Sequence, residues 1–229
     1  LDDCGRVEKA LGQSISNFGI RPTFIKQTGL SEPVPLLETH IFDFNGDIYG
    51  REIKVQFEKY VRPEKKFSSV DELVKQIEAD IRRLELLCEE IKLFYGVDLK
   101  PVIRLNGTTD INWAKEAANL HQKFPHIQFY DYTKVLGRKV AHLPNYHLTF
   151  SAADGNDADV VKAIAQGYNI AMVFDSLPTE YMGRPVINAD EDDLRFLDPK
   201  GVVAGLKAKG KAKKDTSGFV RRTIKIEVA

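Results

Sequence analysis

The 229-residue sequence has few of the features that mark disulfide-rich, zinc-binding, membrane or secreted proteins. Its two cysteines, Cys4 and Cys88, are far apart and form no C-x-x-C pair, which excludes a disulfide framework and a cysteine-built zinc site. There is no apolar run of about 18 residues and no signal-peptide pattern, so the expectation is a cytoplasmic protein with no membrane partner.

The formal net charge of the chain is zero, because 33 Lys and Arg residues balance 33 Asp and Glu residues. A neutral chain gains nothing from bulk charge in binding a polyanion, so nucleic acid is not expected as a partner, although a local basic patch stays open. Hydrophobic residues make up 43% of the chain and charged residues 29%, which is typical of a globular protein with a buried core.

The first third of the sequence predicts β-strands rather than helices. Strand-like stretches cover residues 15–18, 36–44 and 52–61, and Asn45-Gly46-Asp47 has the composition of a hairpin turn. Because no helical pattern interrupts these stretches, we predict an antiparallel meander.

A long amphipathic helix follows. Ser69 and Glu72 form a capping box, an apolar stripe at three- and four-residue spacing continues to Ile91, and Gly96 is a natural end. We therefore divide the chain into three parts: a β segment over residues 1–67, a connecting helix over residues 68–96 and a third part over residues 97–229.

The third part alternates strands and helices, which is typical of a parallel sheet with crossover connections. The short spacing between strands requires some crossovers to be loops. Helices are predicted at residues 111–122 and 157–166, and strands at residues 102–105, 127–132, 147–150, 170–174, 185–188 and 202–206. The predicted fold class is mixed α/β.

Three motifs of the first third occur together and in order. They cover residues 16–24, with an Arg-Pro-Thr-Phe turn, residues 36–50 and residues 60–67, which lead into the helix. Residues 14–82 thereby resemble the riboflavin kinase module of bacterial bifunctional riboflavin kinase/FAD synthetases. The resemblance implies part of a small antiparallel β-barrel, truncated at its N-terminus, and transfer of the ATP γ-phosphate to riboflavin.

The same resemblance implies roles for four residues. Glu38 matches the family's catalytic base, which takes the proton of the attacking ribityl hydroxyl. Arg62, Glu64 and Phe67 match the flap over the isoalloxazine ring, where an aromatic face and a cation suit a flat ring with polar edges. The implied ligands are riboflavin or FMN and Mg-ATP. Without the resemblance, Glu38 would be an ordinary solvent-facing or paired strand carboxylate.

One part of the riboflavin kinase pattern is not found. The family's Pro-Thr-Ala-Asn motif, whose Thr and Asn hold Mg²⁺ and the nucleotide phosphates, does not occur in residues 1–13. Catalysis of phosphoryl transfer depends mostly on the positioning of the metal and the phosphate donor. Because the motif that does this in the family is not found, whether the chain is an enzyme stays open.

The rest of the chain has a second resemblance. Its motifs are similar to those of an uncharacterised phage and plasmid family, gene product eighty-eight, and lie at residues 104–111, 129–134, 145–151, 193–199 and 205–212. This resemblance covers residues 84–229 and implies a partial β/α barrel-like or open parallel-sheet module, also truncated. Family members carry a cysteine cluster reminiscent of iron–sulfur enzymes. Two cysteines cannot supply three thiolates, so no iron–sulfur cluster is expected.

Polar residues gather just after the predicted strands of the third part. This is where a β/α barrel or an open α/β sheet places its ligand groups. The candidates at these strand ends are Asn106, Asp110, Asp131, Lys134, Ser151 and Asp175.

Two charged segments allow alternatives. The acidic run at residues 190–193 is either a divalent-cation site or, as we expect, a solvated turn. Alternating lysines in a strand would form a stripe on one face. This stripe either contacts phosphate or nucleic acid or, as we expect, protects an edge strand from pairing with another chain. These lysines are Lys207, Lys209, Lys211 and Lys213.

The sequence therefore predicts a chimeric chain. A partial riboflavin-kinase-like β segment is joined by the long helix to a phage-type α/β module. The predicted function is that of a riboflavin kinase-like flavin-binding protein. The alternative is a non-catalytic phage- or plasmid-type accessory protein without flavokinase activity.

Overall fold

The chain divides into two compact units, residues 1–66 and 67–229. The computed structural model describes residues 11, 14–20, 35–41, 44, 46, 48, 50–57, 63, 65–107 and 109–223. No helix in these ranges is both long enough and apolar enough to cross a lipid bilayer.

The first unit contains an antiparallel pair of strands, β1 (Ser14–Ile20) and β2 (Pro35–Ile41). The predicted antiparallel pairing is confirmed for these two strands. The strand predicted at residues 52–61 is wrong for its first half, because residues 51–57 form no strand. Two apolar side chains of that stretch, Ile53 and Phe57, are exposed, so no buried sheet face stabilises an extended pairing there. The turn predicted at residues 45–47 lies largely outside the described residues.

The second unit begins with the long helix α1 (Val70–Tyr95). Ser69 caps it by accepting a hydrogen bond from the Glu72 amide at 3.2 Å, and Glu72 accepts one from the Ser68 amide at 3.0 Å. Gly96 ends it in the left-handed conformation, with φ of 70°, which glycine adopts without strain. The predicted helix is confirmed, and Ile81 is its fully buried contact with the core.

An open, mostly parallel sheet of eight strands forms the centre of this unit. In chain order its strands are β3 (Val102–Arg104), β4 (Gln128–Thr133), β5 (Tyr146–Ser151), β6 (Ile170–Phe174), β7 (Glu180–Tyr181), β8 (Arg184–Asn188), β9 (Val203–Lys207) and β10 (Val220–Arg221). Across the sheet the order is β3-β4-β5-β6-β9-β8-β7, and only β7 runs antiparallel to its neighbour. The short β10 pairs with the carboxyl end of β6.

The connections lie on both faces of the sheet. Helices α2 (Trp113–Glu116) and α3 (Ala118–Lys123) lead from β3 to β4, and α4 (Asp157–Ala165) leads from β5 to β6. Core contacts of α4 reach Ile170, Met172 and Phe174 of β6. On the opposite face, Ala189 packs against Ala171 and Ala204. The connection from β8 to its parallel neighbour β9 passes over this opposite face.

Most predicted strands of the second unit are confirmed within one or two residues, and the strand pattern is that of an open mixed α/β fold. The helix predicted at residues 111–122 is interrupted at Ala117, whose non-helical backbone (φ −148°, ψ 49°) separates α2 from α3. The strands β7 and β10 were not predicted. The connection from β4 to β5 contains no helix, as the short spacing requires.

The prediction of a lysine-guarded edge strand is wrong. β9 lies between β6 and β8, so both of its edges are paired. It ends at Lys207, and residues Gly210–Lys214 form a 3-10 helix in place of an extended strand. Because the segment alternates lysine with alanine and glycine, burial of its other face in a sheet would remove little apolar surface from water.

Candidate functional site

The strand pair of the first unit positions the predicted catalytic base. Glu38 lies within β2 and opposite Asn17 of β1. Next to this pair, Ser16 and Thr39 are also opposite each other, and their hydroxyl oxygens are 2.8 Å apart. The register of this part of β2 is therefore fixed by backbone and side-chain pairing.

The other predicted flavin-binding residues are only partly described. Arg62 and Glu64 lie outside the described residues, and Phe67 is half-buried at the first position of the second unit. The roles of Glu38, Arg62, Glu64 and Phe67 stay predictions.

Two of the predicted strand-end residues meet near the carboxyl edge of the sheet, although the prediction that Asp131 follows its strand is wrong, because Asp131 lies inside β4. The backbone amide of Asn106 donates to Asp131 Oδ1 at 2.6 Å. Asn106 Oδ1 accepts from the Trp113 indole at 3.0 Å, from the Ile111 amide at 3.0 Å and from the Thr109 hydroxyl at 2.8 Å. The loop after β3 is thus tied to one buried amide side chain.

A second set of contacts joins the loops after β3 and β4. Asp110 Oδ2 accepts from the Lys134 amide at 2.8 Å, and its Oδ1 lies 2.8 Å from Arg138. Arg138 is buried and also donates to the carbonyl oxygens of Asp110 and Ile111. The structure therefore brings Asn106, Asp110 and Asp131 together, with Lys134 contributing its backbone.

Ser151 and Asp175 take part in other hydrogen bonds. The carbonyl oxygen of Ser151 accepts from Asn156 Nδ2 at 3.1 Å. Asp175 Oδ1 accepts from the amide and the hydroxyl of Thr223 at 3.0 Å and 2.8 Å, and these bonds lower the pKa of its carboxyl. An ionised Asp175 therefore holds the chain that follows β10.

Beneath the strand ends, a buried chain of polar groups runs through the core. Asp131 is fully buried, and its Oδ2 accepts from the Tyr146 hydroxyl at 2.8 Å. Burial raises the pKa of the Asp131 carboxyl to about 6 and also raises the pKa of Tyr146. The His121 ring stacks on Tyr146 with a centroid distance of 4.5 Å, and burial lowers its pKa to about 4. Asp131 can therefore exchange a proton near neutral pH, but it has no exposed surface at which a ligand could receive it.

Sequence reasoning missed a polar cluster on the opposite face of the sheet, which we call the Asp193 cluster. Asp193 accepts from Tyr132 OH at 2.6 Å, from Tyr130 OH at 3.3 Å and from Arg104 at 2.6 Å. Burial is the main cause of the raised pKa of both phenols, which for Tyr130 is about 12. The alternation of Tyr130 and Tyr132 signalled a shared strand face, but nothing in the sequence indicated a partner more than 60 residues away.

The Asp193 cluster ties down the connection between β8 and β9. Phe196 packs against the Tyr130 ring at 5.5 Å, and the buried Arg195 donates to Asp192 at 2.9 Å. Asp190 pairs with Lys209 at 2.9 Å. The expected solvated acidic turn is therefore a set of ion pairs that holds this connection on the sheet.

Residues 109–223 and the other described ranges contain no group of three or more His, Cys, Asp or Glu residues that could hold a metal ion.

A groove of about 510 Å³ runs beside the carboxyl half of α1. Cys88, Leu86 and Pro101 contribute to its wall, and Glu85 Oε1 lies 2.5 Å from His126 Nε2 at its rim. Burial, together with Glu85, raises the pKa of the Cys88 thiol, so the thiol stays protonated and is a poor nucleophile.

Comparison with known families confirms both resemblances. The family model of Gene product 88 matches residues 51–223, which is well over half of the chain. The family model of riboflavin kinase matches residues 5–87. No solved structure matches the chain.

Curated relatives match the first part of the chain. The bifunctional riboflavin kinase/FMN adenylyltransferase of Bacillus subtilis is 39% identical over 66 residues, which cover 29% of this chain and 20% of the relative. That of Haemophilus influenzae is 45% identical over 67 residues, covering 29% and 20%. That of Escherichia coli K12 is 41% identical over 93 residues, covering 41% and 25%. The chain thus spans about a fifth to a quarter of the length of these relatives.

Proposed function

Because the chain belongs to the Gene product 88 family and its first part also matches the riboflavin kinase family, we propose that it is a riboflavin kinase-like flavin-binding protein. Its activity in this proposal is transfer of the ATP γ-phosphate to riboflavin. The observation that carries the proposal is the riboflavin kinase match over residues 5–87, supported by relatives that are 39% to 45% identical.

In this proposal Glu38 is the general base. A carboxylate can accept the proton that the ribityl hydroxyl loses as it approaches phosphorus. The paired strands β1 and β2 support this role because a residue in a register-fixed strand is held more firmly than one in a loop. We also propose that β1 and β2 are part of a small antiparallel barrel of the riboflavin kinase type.

The ligand contacts follow from the same match. Arg62, Glu64 and Phe67 would contact the flavin ring, with Phe67 supplying an aromatic face. Mg²⁺ would reach the site with ATP as substrate. The proposal includes a cytoplasmic location, because both substrates, riboflavin and ATP, are present there.

Riboflavin fluorescence tests the proposal directly. Titration with the whole chain should quench the fluorescence, and addition of MgATP should produce FMN that chromatography separates from riboflavin. Glu38→Gln should abolish FMN formation while flavin quenching remains. Glu52→Gln, a change at an exposed residue of the same unit, is the matched control and should keep both.

A second candidate is a non-catalytic accessory protein, in which residues 5–87 are only a scaffold. The observation that favours it is the extent of the Gene product 88 match, which covers residues 51–223 and leaves Glu38 outside. Absence of quenching at roughly 50 µM riboflavin, where a site of micromolar affinity is nearly saturated, would favour this candidate. Quenching without FMN would leave flavin binding and remove the kinase activity.

A further inference from the structure

The connection after β9 is a lysine-rich loop that is anchored at both ends. The Ala208 amide donates to the Phe174 carbonyl oxygen at 2.8 Å, and the Asp175 amide donates to the Arg221 carbonyl oxygen at 3.1 Å. Phe174 is the last residue of β6, and Asp175 follows it. Phe174 therefore holds the beginning of the loop, and Asp175 holds its end. Between them, the 3-10 helix Gly210–Lys214 gives the loop a defined backbone. Its side chains are therefore presented from a fixed frame.

Five of the eight residues in the segment 207–214, which we call the lysine segment, are lysines, and none is acidic. Lys207, Lys211 and Lys214 are exposed, and the described part of the chain shows no ion pair for them. Since β9 is an interior strand, the protection of a sheet edge does not explain these lysines.

The acidic residues around the lysine segment are already engaged. Asp215 accepts from the Ser217 hydroxyl at 2.7 Å and from the Val220 amide at 3.0 Å. Asp190 pairs with Lys209, and Asp157 pairs with Arg221. A positive surplus therefore remains on Lys207, Lys211 and Lys214 in a chain whose net charge is zero.

We propose that the lysine segment binds the phosphate backbone of double-stranded DNA without reading its sequence. A lysine binds phosphate as a point charge, and each exposed contact contributes little, so several phosphates on one ligand are needed. A 3-10 helix rises about 2 Å per residue, which separates Lys211 and Lys214 by roughly 6 Å along its axis. Spaced, exposed charges of this kind suit a continuous polyanion of high charge density.

This inference goes beyond the proposed function and does not depend on it. Bulk charge argues against nucleic acid as a partner, but the folded chain concentrates cations in one anchored segment. Phosphate contacts alone give weak binding, with a dissociation constant between about 1 and 100 µM at physiological salt. They also give binding that weakens steeply as salt concentration rises.

Fluorescence anisotropy of a labelled DNA duplex, measured with the whole chain over a range of salt concentrations, tests the proposal. The triple variant Lys207→Gln, Lys211→Gln, Lys214→Gln should bind at least tenfold more weakly at low salt. The slope of log K against log salt should become shallower by roughly 3, because each lost phosphate contact removes about 0.9. The matched control is Lys75→Gln, Lys115→Gln, Lys139→Gln, which makes the same charge change at exposed lysines elsewhere.

The control variant should retain the wild-type slope, and Trp113 emission should show that both variants are folded. Equal loss of binding in both variants would overturn the proposal, since it would assign binding to bulk charge. No binding by the wild-type chain at low salt would overturn it as well. Displacement of the duplex by tripolyphosphate at an equal phosphate concentration would also overturn it, because the site would then take a compact phosphate ligand. Riboflavin is absent from this assay, so its outcome is independent of the flavin proposal.

Discussion

Replacing His121 should change how acid affects the stability of the second unit. His121 and Asp131 are both buried, and Tyr146 connects them, stacking on the histidine ring and donating its hydroxyl to the carboxyl. We consider two variants, His121→Leu and Asp131→Asn, each of which removes one titrating group and keeps a side chain of similar size.

The two groups act in opposite directions. Burial lowers the pKa of His121 from 6.5 to about 4, so the unfolded chain binds more protons between these values and stability falls as the pH falls. Burial raises the pKa of Asp131 from 3.8 to about 6, so the folded chain binds more protons there and stability is lost as the pH rises. Each shift corresponds to about 3 kcal/mol, and in the wild-type chain the two contributions nearly cancel.

Urea denaturation at several pH values between 4 and 7, followed by the fluorescence of Trp113, measures both effects. Trp113 is the only tryptophan and is buried in the same core, so its emission reports on this unit. Compared with wild type, His121→Leu should gain about 3 kcal/mol of unfolding free energy as the pH falls from 6.5 to 4. Asp131→Asn should lose about 3 kcal/mol over the same interval.

The other carboxylates titrate in all three proteins, so their contribution cancels in these differences. Gln122→Ala is the control, because Gln122 is exposed, does not titrate and is next to His121 in the sequence, and this variant should follow the wild-type pH dependence closely. Parallel pH profiles of wild type and both buried-site variants would refute the reasoning, because neither group would then change its protonation on folding in this range.

Three further variants test the polar contacts of the second unit. Asn106→Ala leaves the Trp113 indole, the Ile111 amide and the Thr109 hydroxyl without their acceptor and should cost about 3 kcal/mol in urea denaturation. A loss below about 1 kcal/mol would mean that water replaces the side chain. Tyr132→Phe removes a 2.6 Å bond to Asp193 Oδ1 and should cost about 1.5 to 3 kcal/mol. Tyr130→Phe, which removes a 3.3 Å bond to the same carboxylate, should cost less, and the reverse order would contradict the cluster's geometry.

Local patterns were enough to predict the long helix α1 and six of the eight strands of the second unit. The strand predicted at residues 170–174 has the observed bounds of β6. Its five residues are all apolar, and a short unbroken apolar run is typical of a buried strand. The limits of α1 follow from Ser69, Glu72 and Gly96, whose capping chemistry is local. These predictions succeed because the determining contacts lie within a few residues of each other.

The long-range polar contacts could not be predicted in this way. Asp193 meets Tyr132 because the connection from β8 to β9 crosses the sheet, which depends on strand order and on crossover handedness. The lysine segment was predicted incorrectly because period-two alternation resembles a strand even when the other face carries only alanine and glycine. Residue type and predicted strand bounds selected Asn106, Asp110 and Asp131 as candidates, but whether these residues face a ligand or each other was decided by packing.

The two family matches overlap over residues 51–87, and the unit boundary divides this overlap. Helix α1 buries Ile81 in the core of the second unit, and Leu73, Val74 and Ile77 pack against the same core. The α/β core therefore requires this helix whatever the first unit does, so its apolar stripe carries no information about flavin. What is specific to riboflavin kinase must then lie in residues 5–66, which contain Glu38, together with Phe67 at the boundary. A test of the flavin proposal accordingly has to vary the first unit and leave α1 intact.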